Sequence, residues 1–145
     1  FLSREFGRQG PTPDDGQESA LDAYLARVEV VNARFGERSG QTAVEPWRTD
    51  RGRIYMQKGA PSQQFSKPRP QAGSAYELWS YSGRQPYVYL FIDETRMGHF
   101  RLVYSNDPNE KTLANWDSKV GNEAREDMAR VGHSPRIDAG SGSGN

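Results

Sequence analysis

The 145-residue chain contains no cysteine and only two histidines, His99 and His133. Disulfides, thiolate zinc sites and thiol catalysis are therefore excluded, as is a histidine-rich metal centre. An exported bacterial protein that avoids stray disulfides looks this way, and so does a cytosolic one. Charge of one sign is missing too: 19 basic residues face 19 acidic ones. Nucleic-acid binders carry a basic excess, so that partner class is set aside. No window reaches the roughly 18 consecutive apolar residues of a membrane span. Apolar material is scarce, at 34% hydrophobic residues and a mean hydropathy of -0.92, while the chain holds 15 Gly and 9 Pro. Such a composition implies a small core with polar or irregular tails. Phe1 rather than Met stands first, as in a processed product or a partly ordered chain, which leaves room for a removed signal peptide.

What the chain does have is aromatics: 6 Phe, 7 Tyr and 3 Trp, enough to build a small core from large side chains. Residues 1–16 read as an irregular arm, broken by Gly and Pro but carrying Phe1, Leu2 and Phe6. From Gln17 the pattern turns helical. Leu21, Tyr24, Leu25, Val28, Val31 and Phe35 recur at three- and four-residue steps, with Asp14 or Asp15 as N-cap and Gly36 as the stop. "ERSGQTAVEP" reads as a loop, "RIYMQKG" as a short strand, and the Pro-rich stretch 61–74 as a long loop. Three aromatic and β-branched runs follow at 75–82, 86–93 and 98–105, joined by short turns that make them antiparallel neighbours. The middle run is apolar on both faces and belongs at the centre of the sheet.

Beyond "SNDPNE", residues 106–132 are helical in propensity, with a break at Gly121. Residues 133–145 form a Gly/Ser tail. The fold expected is α+β: an N-terminal helix packed on a four-stranded, mostly antiparallel sheet within 17–105, then a peripheral C-terminal helix and irregular tails.

"EPWRTDRGRIYMQKGAP" (45–61) has the most chemical look. Arg48, Arg51, Arg53 and Lys58 around glycines could grip an oxyanion, but neither the GxxxxGK[ST] nor the GxGxxG spacing is present. The structural reading is favoured. Thr49 caps, Asp50 ties the turn to main-chain amides, Gly52 takes a positive φ, and Trp47 plugs the start of the sheet. Arg48 or Arg51 stacks on an aromatic face, and Gly59-Ala60-Pro61 ends the strand.

Catalysis would need paired groups in a cleft, and no base and nucleophile pair off among Asp50, Glu77, Asp93, Glu94 and His99. Glu77 is expected to face solvent or meet a cross-strand Arg, and His99 to be an exposed strand residue. "SNDPNE" offers oxygens to calcium, yet it lacks the EF-hand order and reads as a turn and helix cap. No metal or cofactor enters this reading.

The helix "YLARVEVVNARFG", then "PWRTDRGRIYMQKGAP", "YELWSY" and "GHFRLV", resembles the GWxTD domain of bacterial exported proteins over about residues 11–105. Pro46 stands in place of that motif's Gly. The resemblance implies an extracytoplasmic, periplasmic protein and brings no reaction with it. The function expected is therefore a non-enzymatic accessory subunit, peripheral to the membrane. It would dock on a larger membrane-bound assembly, such as a respiratory, photosynthetic or secretion complex, through Phe1, Leu2, Phe6, Trp116 and Ile137. The alternative is a small-ligand or glycan binder using Trp79, Tyr81 and Tyr89 on an open sheet face. An enzyme would need a deep cleft collecting Asp50, Glu77 and Arg51.

Overall fold

The computed structural model describes residues 15–39 and 42–134. The expected docking residues Phe1, Leu2, Phe6 and Ile137 lie outside them. Helix α1 runs Asp15–Arg34, so Asp15 already belongs to it; Asp14 is not among the described residues. A small antiparallel hairpin, β1 Glu37–Ser39 and β2 Thr42–Val44, occupies the stretch read as a loop. After a 3₁₀ turn over Pro46–Arg48 comes helix α2, Asp50–Lys58.

The expected strand at 53–58 is therefore a helix, and the capping chemistry explains it. The Thr49 hydroxyl accepts from the Gly52 N–H, and Asp50 sits in the positive first turn. Arg51, Ile54 and Tyr55, at helical spacing, form the buried face.

Four strands follow: β3 Gln63–Lys67, β4 Ala75–Tyr81, β5 Tyr87–Asp93 and β6 Arg101–Ser105. They form one antiparallel meander in the order β3-β4-β5-β6. The sheet has the expected four strands, but its first is β3, from the stretch read as a Pro-rich loop. β3 is an edge strand with only Phe65 and Lys67 half-buried, which lets it be polar.

The sheet is covered on both faces, and the period-2 alternation sorts its side chains between two cores. Toward α1 and α2 point Trp79, Tyr89, Phe91 and Leu102, packed with Val31, Phe35, Ile54 and Tyr55. Toward the other side point Tyr76, Leu78, Leu90, Ile92 and Val103. A bulge where the register moves from Leu90↔Tyr104 to Phe91↔Leu102 turns both Val103 and Tyr104 to this second face.

The second core is closed by a 3₁₀ turn at Trp116–Lys119 and by helix α3, Asn122–Arg130, with Gly121 as the break between them. Ala124 and Met128 are fully buried, so this helix is packed more closely than a peripheral position implies. Trp116 is buried too, its ring 4.5 Å from that of Tyr104. It is a core residue and not a docking residue: the sheet's second face needs a large apolar lid, and Trp116 supplies it. Tyr76 donates to Asp127 at 2.6 Å and locks α3 to β4; burial and this bond push the Tyr76 phenol up. At the end of α3, burial holds the His133 imidazole below its ordinary value, and its Nε2 is hydrogen-bonded to the Tyr104 hydroxyl at 2.7 Å. Among the described residues, no helix is long and apolar enough to cross a membrane.

Candidate functional site

Thr49 is more than a cap. Its hydroxyl donates to the Pro46 carbonyl at 2.7 Å while accepting from the Gly52 N–H at 3.0 Å. That pair of bonds forces the 3₁₀ turn and α2 together, and Gly52 sits in the crease. A Cβ there would lie 1.9 Å from the Pro46 carbonyl oxygen. Gly52 is thus required for close approach, whereas the positive φ expected of it belongs to Gly59 (φ 80), the cap at the end of α2. Pro61 follows that cap, in the segment leading from α2 to β3.

Asp50 does not tie its own turn. Its Oδ2 accepts from the Leu102 N–H at 2.8 Å, pinning the N-terminus of α2 to the edge strand β6. Arg51 points inward between two carboxylates. Its Nε and one terminal nitrogen meet Glu37 Oε2 at 3.3 and 3.2 Å, and the other terminal nitrogen meets Glu77 Oε2 at 3.1 Å. The guanidinium lies 4.2 Å from the Phe100 ring centroid and 5.3 Å from that of Phe35. The remaining carboxylate oxygens are also taken, Glu77 Oε1 by the Trp79 indole N–H and Glu37 Oε1 by His99 Nδ1.

One arginine therefore joins hairpin β1–β2, helix α2 and strand β4. The side chains of Arg51, Glu37 and Glu77 are 11%, 0% and 11% exposed, so solvent does little to screen them. The Arg-aromatic stacking agrees with the sequence reading, but Glu77 neither faces solvent nor meets a cross-strand Arg: it is buried, and its arginine comes from helix α2. Glu37 and His99 depart from that reading too: the first sat in a presumed loop and the second in a presumed strand. Nothing in their neighbouring residues signals a partner on α2.

Among the described residues, Asp50 and Glu77 hold different partners: the Leu102 N–H and Arg53 for the first, Arg51 and the Trp79 indole for the second. Asp107 of "SNDPNE" is directed into the fold, accepting from the Tyr89 hydroxyl at 2.6 Å and the Asn109 N–H at 2.9 Å. Burial pushes its carboxyl up, and these donors together with Lys58 outweigh that and hold it below the ordinary carboxylate range.

The aromatic sheet face is closed. Trp79 and Tyr89 are fully buried beneath α1 and α2, and Tyr81 donates to the Gly59 carbonyl at 2.7 Å. A glycan cannot reach these rings, which overturns the alternative binding face. Trp47, expected to plug the sheet, is instead 51% exposed. The turn at Pro46–Arg48 carries it outward against α1.

There it borders a groove of about 360 Å³ lined by Tyr24, Val28, Val31, Asn32, Trp47 and Met56. The apolar surface continues up α1 through Leu21, Tyr24 and Leu25, each half or more exposed. Residues 19–26 are exposed all round, so this half of α1 projects beyond the body. The other half is anchored by Val31 and Phe35 in the core and by Arg27, which donates to the Met56 carbonyl at 3.0 Å.

The chain matches no model of a known protein family, no curated protein sequence and no solved structure.

Proposed function

We propose that this protein is a non-enzymatic docking subunit, held outside the cytoplasmic membrane of a bacterium and bound to a larger membrane-associated protein assembly. The observation that carries the reading is the unsupported half of α1 with its exposed Leu21, Tyr24, Leu25 and Trp47. A helix segment with no tertiary packing is marginal in water, and a clustered apolar surface of this kind is what a partner covers. Of the motif that looked chemical, Thr49, Asp50, Arg51 and Arg53 are engaged with partners within the fold, which supports a structural role for it. The extracytoplasmic placement rests on the resemblance of the 45–61 segment and "YELWSY" to GWxTD proteins.

The occupant is a helix of the partner protein, with an apolar stripe edged by Lys or Arg. By sequence, residues 19–26, the projecting part of α1, carry Asp22 and no cation. Such a surface selects an apolar helix with basic margins over one with acidic margins. The expected docking site thus moves from the tails to α1.

A photoreactive residue at position 25 of the full-length chain, in the cells that produce it, tests this. The expected product is a cross-link to one membrane-fraction protein, lost in Tyr24→Glu. Trp47→Ala should weaken that complex by about 2 kcal/mol or more, with folding stability changed by under about 0.5 kcal/mol. A cross-link only to the chain itself, or one that survives Tyr24→Glu, contradicts the proposal.

A further inference from the structure

Where β4 begins and β5 ends, a second groove of about 630 Å³ opens between two loops. Its volume falls within the roughly 300–1,000 Å³ of small-molecule sites. One wall is the β3–β4 connection, with Pro68, Arg69 and Pro70; the other is the β5–β6 connection, with Arg96 and Phe100. Between them lie Ala75 and Asp93, partners across β4 and β5.

Two cations line this groove, Arg69 and Arg96. Neither the Arg69 nor the Arg96 guanidinium is hydrogen-bonded or ion-paired among the described residues. The carboxylate in the groove's lining, Asp93, is ion-paired with neither and is held by neutral donors of its own loop. Asp93 accepts from the Thr95 hydroxyl and the Arg96 N–H on Oδ1, at 3.0 and 2.9 Å, and from the Gly98 N–H on Oδ2 at 2.8 Å. Glu94, the next carboxylate along the loop, is already paired with Arg101 and Lys119. Arg101 and Lys119 are thus taken up by Glu94, and in the groove's own lining two arginines stand against the single carboxylate of Asp93.

The backbone supplies an independent pointer. Arg96 sits at φ 63, in the left-handed region that costs an L side chain conformational energy and suits glycine. Asp93 clamps the Arg96 N–H in that conformation. The result is a long cationic side chain, at a strained position, lining a groove and with no partner among the described residues. Phe100 is held in place by Arg51, which stacks 4.2 Å from its ring centroid.

We infer that this groove is a binding site for a small oxyanion with a flat apolar body, a carboxylate or phosphate held by Arg69 and Arg96 while its ring lies along Phe100 and the two prolines. Guanidiniums suit either oxyanion, because each presents a planar fork to two oxygens. The site is separate from the surface of α1 and does not depend on how that surface is used.

Titration of the full-length protein with phenyl phosphate, benzoate and inorganic phosphate, followed by amide NMR, tests the site. Saturable shifts are expected at Ala75, Arg96 and Phe100, with the ring-bearing anions binding more tightly than inorganic phosphate. The stronger of phenyl phosphate and benzoate identifies the natural head group. Arg96→Gly is the discriminating variant, since glycine suits φ 63. Its unfolding midpoint should be unchanged or higher, while affinity falls at least about tenfold. Arg69→Gln should also weaken binding, and Arg84→Gln, an exposed arginine in the β4–β5 turn, should not. Absence of saturable shifts, shifts away from the groove, or equal losses in Arg84→Gln and Arg96→Gly would overturn the inference.

Discussion

Arg51→Ala should lower the free energy of unfolding by about 3–5 kcal/mol, the cost of leaving buried charges without their counter-ion. The two glutamates it serves come from elements far apart in the chain, β1 and β4, and neither is open to water. Without the guanidinium, the carboxylates of Glu37 and Glu77 would face each other across an apolar gap beside Phe35 and Phe100. Against a typical total stability of about 5–15 kcal/mol, that loss puts the fold near its limit. Urea unfolding measures it directly. The triple variant Arg51→Ala, Glu37→Gln, Glu77→Gln should recover much of the loss, because uncharged amides remove the unpaired charges and still accept from Trp79 and His99. A loss under about 1 kcal/mol in Arg51→Ala, the size of an exposed pair, would mean that the cluster does not hold the domain together.

Gly52→Ala reverses a familiar sign. In an exposed helix interior the change is stabilising by about 1 kcal/mol. At this crease it is expected to destabilise by about 3 kcal/mol, because the new methyl would meet a backbone oxygen that no rotamer change can move. The obstacle is the Pro46 carbonyl at 1.9 Å, itself fixed by the Thr49 hydroxyl. The 3₁₀ turn must therefore separate from α2 or lose its bond to Thr49. The same urea experiment decides this, and a neutral or stabilising Gly52→Ala would show that turn and helix are not in contact.

The α+β class and the antiparallel sheet were legible because β4, β5 and β6 are aromatic-rich runs joined by short turns, a pattern with few other solutions. The face of α1 was legible for a similar reason, although its periodicity did not reveal that the stripe outruns the body it packs on. α2 was lost because nine residues give too little periodicity to separate helix from strand, and the cap at Thr49 that decides the matter looks the same in a turn. β3 was lost because an edge strand facing solvent carries no apolar alternation. Of the candidate site, Thr49 and the stacking of Arg51 could be read locally. Glu37 and His99 could not: they reach Arg51 only after the hairpin and the β5–β6 loop fold over α2, and no spacing rule encodes that.

The molecule divides in two: the 49–59 segment is a structural clamp, and residues 19–26 of α1 are the unpacked surface on which the proposed docking rests. Native-state hydrogen exchange on the isolated full-length chain tests both halves at once. The account predicts that α2 amides exchange only through global unfolding, while amides of residues 19–26 exchange at least about a hundredfold faster, as a frayed, unpacked helix does. Protection of residues 19–26 equal to that of α2 would contradict it, because the surface would already be covered, and rapid exchange in α2 would contradict the clamp.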